Sequence, residues 1–282
     1  MTAPPVPDRA CLSYWFPILE AAGVPVPRTV VVRTAPDLDG PDLLALLEAA
    51  PLMGDPERMA GFDRFATRLV EAYMAVAGSG VRRPAWATEP VFLRTGHTAG
   101  KHNWRHTCYV PDCAALVGHV AALVAASAAA HPVFPLPTDV WAVRELLPVT
   151  PIVELPRYAG LPLAAELRAF VKGGEVRCVH AYWPPEAVAA GFFGPIDAHQ
   201  GKLIMALAST VVMDDIPAVW GTLAKVAAAF AGESGGAAWS VDLLLGQTGV
   251  WYATDMAPAE RSYHDPLCAF SHADAPAAGV AS

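Results

Sequence analysis

Two glycine-marked reversals in the second half of the chain constrain its fold more than any other feature. Gly173-Gly174 separates the runs 163–172 and 175–182, and Gly246-Gln-Thr-Gly249 separates 239–245 from 250–256. Each run carries residues that suit a pleated, half-buried surface: Phe170 and Val171, Val176, Val179 and Tyr182, Trp239 and Val241, and Val250, Trp251, Tyr252 and Thr254. Gly-Gly accepts positive φ at both central positions of a type I′ turn, the turn whose twist matches a hairpin. Two antiparallel hairpins are therefore expected, and a hairpin needs further strands or a helix to be stable. Helical spacing at 14–22, 42–50, 56–77, 112–130, 197–213 and 216–231 supplies the helices, with Asp112 as the N-cap of the fourth. Further strands are predicted at 29–33, 91–94, 107–110 and 140–146. The mixture reads as α+β.

Charge and cysteine usage narrow the function classes. The 282 residues carry 19 Lys+Arg against 27 Asp+Glu, a net charge of −8. A coat of nucleic acid by charge alone wants a basic surface, so nucleic acid is not an expected partner. With 54% hydrophobic residues the chain is not intrinsically disordered. Five cysteines without a C-x-x-C pair argue against zinc and for a reducing cytoplasm. The longest stretch lacking Asp, Glu, Lys and Arg, 113–138, is interrupted by His119, His131 and three prolines. A membrane helix needs about 20 consistently apolar residues, so a soluble, cytoplasmic chain with no membrane partner is expected. Gly78-Ser-Gly80 and Pro84 suggest a boundary, giving a small α/β cap at 1–85 and a second domain at 86–282.

The hairpins can be read residue by residue. A two-residue turn at Gly173-Gly174 sets Lys172 opposite Glu175 and Phe170 opposite Arg177. One face then carries Glu166, Arg168, Phe170, Lys172, Glu175 and Arg177, and is either solvated or the lining of a polar cleft. His180 falls on the other, apolar face, as a core histidine. A two-residue turn at Gln247-Thr248 sets Asp242 opposite Ala253 and Asp255 opposite Ser240. The two carboxylates become diagonal neighbours about 7–8 Å apart. They are either structural groups held by Arg or backbone N–H, or a pair able to share Mg²⁺ on triphosphate oxygens. A three-residue turn would flip the parity.

The loop Arg94-Thr-Gly-His-Thr-Ala-Gly-Lys101-His-Asn-Trp-Arg105-His106 is the one dense basic cluster. Its glycines permit close backbone approach, and Lys101, Thr95 and Thr98 supply donors, as a phosphate-covering loop requires. It is neither a Walker A sequence nor G-x-G-x-x-G. His97, His102 and His106 also admit a metal reading.

In this order the pieces resemble an ATP-grasp protein over roughly 90–264. Phe92-Leu-Arg-Thr95, Gly100-Lys-His-Asn-Trp104, Val143-Arg-Glu-Leu146, Glu166-Leu-Arg168, Trp239-Ser-Val-Asp242 and Thr254-Asp-Met-Ala257 carry the resemblance. It is nearest to a bacterial and phage-associated clade distantly similar to the cell-division-cycle assembly chaperones of eukaryotic translation initiation. The resemblance implies two α+β subdomains clamping ATP. It places Arg94 at the position of the usual phosphate-binding Lys, and Lys101 on the phosphates. Glu145, Leu146 and Leu147 would line the adenine at the hinge, and Glu154 the ribose. Arg168, with Lys101, would act in catalysis on the transferring phosphoryl group, and Arg177 would be a second phosphate or substrate contact. Asp242 and Asp255 would hold Mg²⁺. The usual closing motif has Asn two residues after the acid; here Ala257 stands there, and Ser262 or His264 could substitute. The implied activity is ADP-forming ligation of a carboxylate to an amine, on an amino acid or peptide. A nucleotide-binding assembly factor without turnover, and a kinase for a small molecule or nucleic-acid end, are the competing readings.

Overall fold

A computed structural model describes residues 8–33, 56–76, 89–130, 136–183, 199, 201–202, 216–233 and 236–265. In chain order the elements are α1 (Leu12–Ala21), β1 (Thr29–Arg33), α2 (Pro56–Val76), β2 (Val91–Thr95), β3 (Tyr109–Val110), α3 (Leu116–Ala129), β4 (Val140–Glu145), β5 (Val153–Leu155), β6 (Leu161–Leu163), β7 (Glu166–Lys172), β8 (Glu175–Ala181), α4 (Ile216–Ala229), β9 (Ala238–Leu245) and β10 (Trp251–Pro258). The fold is α+β, with antiparallel sheets. The helices expected at 42–50 and 197–213 and the boundary at 78–84 lie outside the described residues, save for helical His199, Gly201 and Lys202.

The chain forms two compact units, one of residues 27–146 and 158–161, the other of 1–26, 147–157 and 162–282. In the first, a four-stranded sheet runs in the order β1-β4-β2-β3. Alternation along the strands sends Val30, Val32, Val91, Leu93, Trp141 and Val143 to one face, where they meet α2 and α3. Phe62, Phe65, Leu69 and Tyr73 on α2 recur every three or four residues, so they form one buried stripe. Each such side chain contributes on the order of 1.5–3 kcal/mol by burial. Asp112 does cap the helical segment, accepting from Ala114 N at 2.9 Å and Ala115 N at 3.1 Å.

In the second unit, β10-β9-β7-β8 form a four-stranded antiparallel sheet. One face packs on apolar helices. Leu12, Trp15, Phe16 and Leu19 are the buried stripe of α1. The turn after α1 closes with Gly23 at φ +64, whose N–H bonds Glu20 O at 3.0 Å. Trp239 is fully buried, stacked on Tyr14 at 5.8 Å and tilted against Phe230 at 4.9 Å.

These units cut across the division expected near residue 85. Residues 8–26 belong with the C-terminal hairpins, whereas β1 pairs along its whole length with β4. A β-branched run needs a neighbouring strand to satisfy its backbone, and β4 provides one. Cys11, Cys108 and Cys113 are free thiols, and Cys178 takes part in a disulfide. Its partner lies outside the described residues. Among the described residues no helix is long and apolar enough to cross a membrane.

Candidate functional site

The face of the β10-β9-β7-β8 sheet opposite the helices carries one row of four polar residues in direct register. Arg168 on β7 pairs with His180 on β8 and with Asp242 on β9, and Asp242 pairs with Asp255 on β10. Two bulges assemble this row. Val171 opposes Val176 but Phe170 opposes Cys178, so Arg177 is an extra residue in β8. Ala253 opposes Leu243 but Asp255 opposes Asp242, so Thr254 is an extra residue in β10. A one-residue slip moves every later side chain to the other face. The Arg177 bulge thereby brings Cys178, His180 and Tyr182 onto the face of Arg168, correcting the expected placement of His180 on the apolar face and of Phe170 against Arg177. Arg177 itself leaves the row and pairs with Glu175 at 2.8 Å.

At the other hairpin the turn is longer than two residues. Leu245 pairs with Trp251, Gly246 N–H reaches Val250 O at 2.9 Å, and Gly249 lies at φ +79. That turn alone would put Asp255 on the wrong face. The bulge restores it, and Thr254 Oγ1 donates to Asp242 O at 3.3 Å across the irregularity. Asp242 and Asp255 are therefore directly opposite rather than diagonal, about 4.5–5.5 Å apart at Cβ.

Arg168 and Asp242 form a two-pronged ion pair, Nε to Oδ1 at 2.7 Å and Nη2 to Oδ2 at 3.0 Å. Tyr182 lies under the guanidinium, 4.7 Å from Cζ to the ring centre. Burial opposes the charge on Arg168, but the attraction and hydrogen bonds of Asp242 outweigh it and raise its pKa above the ordinary arginine value. Nη1 donates to the carbonyl of Tyr263 at 3.5 Å. Asp255 accepts from Met256 N at 3.0 Å.

The segment after β10 returns over this face. Ser262 Oγ lies 2.6 Å from Ser240 Oγ, and Ser240 pairs with Ala257. His180 Nε2 accepts from Asp265 N at 3.4 Å, so Nδ1 carries the proton donated to Ala181 O at 2.8 Å. Burial pushes the His180 pKa down to about 4, with a smaller contribution from Arg168, so the ring is neutral near pH 7. His264 is 5% exposed and stands edge-on to Phe170 at 4.7 Å. Its pKa is also lowered, by burial against a smaller opposing pull from Asp265. His264 Nε2 has no hydrogen-bond partner among the described residues.

In the other unit, the basic loop is held by threonines. Thr95 Oγ1 accepts from Thr98 N at 3.1 Å, and Thr98 Oγ1 from Gly100 N at 3.2 Å. Thr107 Oγ1 lies 2.7 Å from Gly100 O and 2.9 Å from Asn103 O. Gly100 needs its missing side chain, since at φ +59 a Cβ would sit 3.1 Å from Thr107 Cγ2. Lys101 opens the short 3-10 segment that follows, and His119 from α3 bonds Thr107 O at 2.8 Å. Arg94 is buried on the sheet face away from the helices, with Nε donating to Thr95 O at 3.0 Å. The same face carries Arg144, whose Nε donates to Thr29 Oγ1 at 3.1 Å, and Phe92 directly opposite it. Glu145 is engaged by Arg28, and the chain passes between the two units after Leu146, before Leu147. Glu154 is exposed on β5. Among the described residues no group of three or more His, Cys, Asp or Glu side chains is placed to hold a metal. His102 is instead stacked on Tyr158 at 4.8 Å.

His180 was read from the sequence but on the wrong face, whereas the contacts of Tyr182, Thr107, His119 and Arg144 were not foreseen. Of these four, only Arg144 stands within a quoted motif, Val143-Arg-Glu-Leu146.

No protein-family profile and no curated protein matches the chain. Among solved structures it is similar to D-alanine–D-alanine ligase from Bacillus anthracis complexed with ATP, at 9% identity and a TM-score of 0.42, covering 89% of this chain and 55% of that one. It is similar to N5-carboxyaminoimidazole synthetase from Staphylococcus aureus complexed with ADP, at 10% and 0.41, covering 89% and 44%. For D-cycloserine synthetase DcsG the values are 15% and 0.38, covering 95% and 67%. The chain spans about half the length of the first two.

Proposed function

We propose that this chain is an ATP-grasp protein that joins a carboxylate to an amine, with ATP converted to ADP and phosphate. The observation that carries the reading is the row His180–Arg168–Asp242–Asp255, built by two bulges on one sheet face. Directly opposed carboxylates repel, and a sheet keeps such a pair only where cations offset it. Arg168 neutralises one charge, so the three groups carry a net −1. Each carboxylate has about four lone-pair sites, and the guanidinium uses one on each oxygen of Asp242. The pair thus fits a hard divalent cation whose other ligands come from triphosphate oxygens and water. Asp242 and Asp255 would hold that magnesium, which when bound neutralises charge on the phosphates.

In the proposed reaction a carboxylate oxygen of an amino acid or peptide attacks the γ-phosphorus and ADP leaves. The amine then attacks the acyl carbon, forming a tetrahedral centre, the C–O bond to phosphate breaks, and the proton lost by the amine leaves with the phosphate. Arg168 stabilises the oxyanions by charge and by the N–H groups that Asp242 leaves unused. It is pre-oriented by Asp242 and Tyr182, so little reorganisation accompanies the reaction. Lys101 and Arg94 bind phosphate oxygens, and the threonine-braced loop keeps Lys101 in place. Glu145, Leu146 and Leu147 take the adenine, Glu154 the ribose, and Arg177 a further phosphate or substrate contact.

A second reading, a Mg·ATP-binding assembly factor without turnover, is favoured by Ala257, which offers no oxygen beside the carboxylate pair. Incubation with ATP, Mg²⁺ and mixtures of amino acids separates the two. A ligase releases ADP and phosphate in equal amounts only when both a carboxylate and an amine are present. Release that ignores either substrate, or ATP bound without release, removes the ligase reading.

A further inference from the structure

Residues 158–161 belong to the unit of the basic loop, although the chain on both sides of them, 147–157 and 162 onward, belongs to the other unit. The excursion is short and strained. Ala159 lies at φ +53, a left-handed conformation that a residue with a Cβ seldom adopts, and Gly160 follows at φ +78. Strain of this kind persists only where the surroundings hold it, and it gathers at ligand clamps and switch regions. What surrounds it here is the segment Lys101–His106. The His102 ring stacks on buried Tyr158 at 4.8 Å, with the two planes 18° apart. Three residues on, the Arg105 guanidinium lies so close to Gly160 that a Cβ there would sit 2.9 Å from Nε and 3.0 Å from Cζ.

The loop segment needs such support. None of its six residues is buried, and Asn103 breaks its helical geometry at φ −131, ψ 49. Few buried contacts place a segment at the low-stability end of a fold. Trp104 leans on Phe92 at 5.9 Å and on Tyr109 at 5.8 Å, which anchors the middle of the segment to the sheet. The threonines brace the backbone on either side of it. His102, next to Lys101, is held by Tyr158.

We propose that Tyr158 and Gly160 are positioning residues, which clamp the 101–106 segment and so keep Lys101 ready for the phosphates of ATP. The stack of imidazole on phenol fixes the end of the segment that carries Lys101. Gly160, without a side chain, lets Arg105 lie against the backbone near the other end. Placement of the loop then enters the apparent affinity directly. A ligand that binds only the placed loop binds more weakly in proportion to the fraction of molecules in which it is placed. The assignment rests on the reading of Lys101 as a phosphate ligand.

The test is calorimetric titration of Mg·ATP into the full chain and its variants, with wild type and Lys101→Ala measured first. His102→Ala and Tyr158→Ala each remove the stack and should weaken binding about two- to tenfold, the worth of one aromatic pair. His102→Phe keeps a ring and should recover most of that loss. Gly160→Val strains the backbone and displaces Arg105, and should weaken binding in the same range. In the Lys101→Ala background the same changes should cost nothing further, a result that a merely structural role would not produce. Equal losses with and without Lys101 overturn the clamp. So does unchanged affinity in His102→Ala and Gly160→Val while Lys101→Ala binds weakly. Wild-type chain that binds no Mg·ATP, or Lys101→Ala that binds as wild type does, overturns the phosphate role of Lys101 and the clamp with it. His102 is exposed, so its variants decide the matter even where Tyr158→Ala does not fold.

Discussion

Replacing Asp242 by Asn tests whether the polar row is held by charge. Only 15% of the Arg168 side chain and 7% of that of Asp242 reach solvent. Removing one partner of a buried ion pair costs about 3–5 kcal/mol, because the other charge is left uncompensated. Residual access of Arg168 to water puts this pair at the lower end. Asn keeps the volume and one acceptor oxygen, which retains about 1 kcal/mol. The expected loss for Asp242→Asn is therefore about 2 kcal/mol, by urea unfolding monitored by circular dichroism. The double variant Arg168→Met, Asp242→Leu removes both charges and should lose less than the two single changes added together, with a coupling of about 2–3 kcal/mol. Loss below about 0.5 kcal/mol in Asp242→Asn, with additive singles, would refute the reasoning and leave the pair as a surface contact.

Acid should destabilise the unit that carries the row. His180 has a folded pKa of about 4 against 6.5 when unfolded, so the unfolded chain binds the extra proton. Its stabilising contribution is complete above pH 6.5 and is lost as pH falls towards 4, by about 3 kcal/mol over the full range. His264 and His119 shift in the same direction, and His180→Gln should flatten the decline in urea midpoint with pH. Gly100→Ala places a side chain at φ +59 against Thr107 and should cost on the order of 1–2 kcal/mol, read as faster proteolytic cleavage within the basic loop. Lys101→Ala and Asp255→Ala should each weaken Mg·ATP binding at least about tenfold while the circular dichroism spectrum is kept. Unchanged affinity in both would remove them from the site.

What was legible in the sequence was local. The Gly173-Gly174 turn, strands at 91–94 and 140–146, the Asp112 cap and the α2 stripe follow from neighbouring residues alone. What was not legible depends on residues far apart in the chain. The pairing of β7 with β9 makes Asp242 the partner of Arg168, and no periodicity specifies which strands adjoin. β1 likewise finds β4, bringing Arg28 to Glu145 and moving a segment out of the expected N-terminal cap. The bulges were silent because neither Arg177 nor Thr254 is a glycine or proline, so neither marks an irregularity. Their effect was nonetheless large. Asp242 and Asp255 still share a face, but as a direct pair, and His180 joins them instead of the apolar side.

The most direct test of the central claim is a calorimetric titration of ATP into the full chain with and without Mg²⁺. Two opposed carboxylates that fit a divalent cation, together with a braced basic loop, predict binding that strengthens strongly when magnesium is present. Equal affinity with and without the metal, or no binding under either condition, would contradict the assignment of Asp242 and Asp255 and the ATP-dependent function built on them.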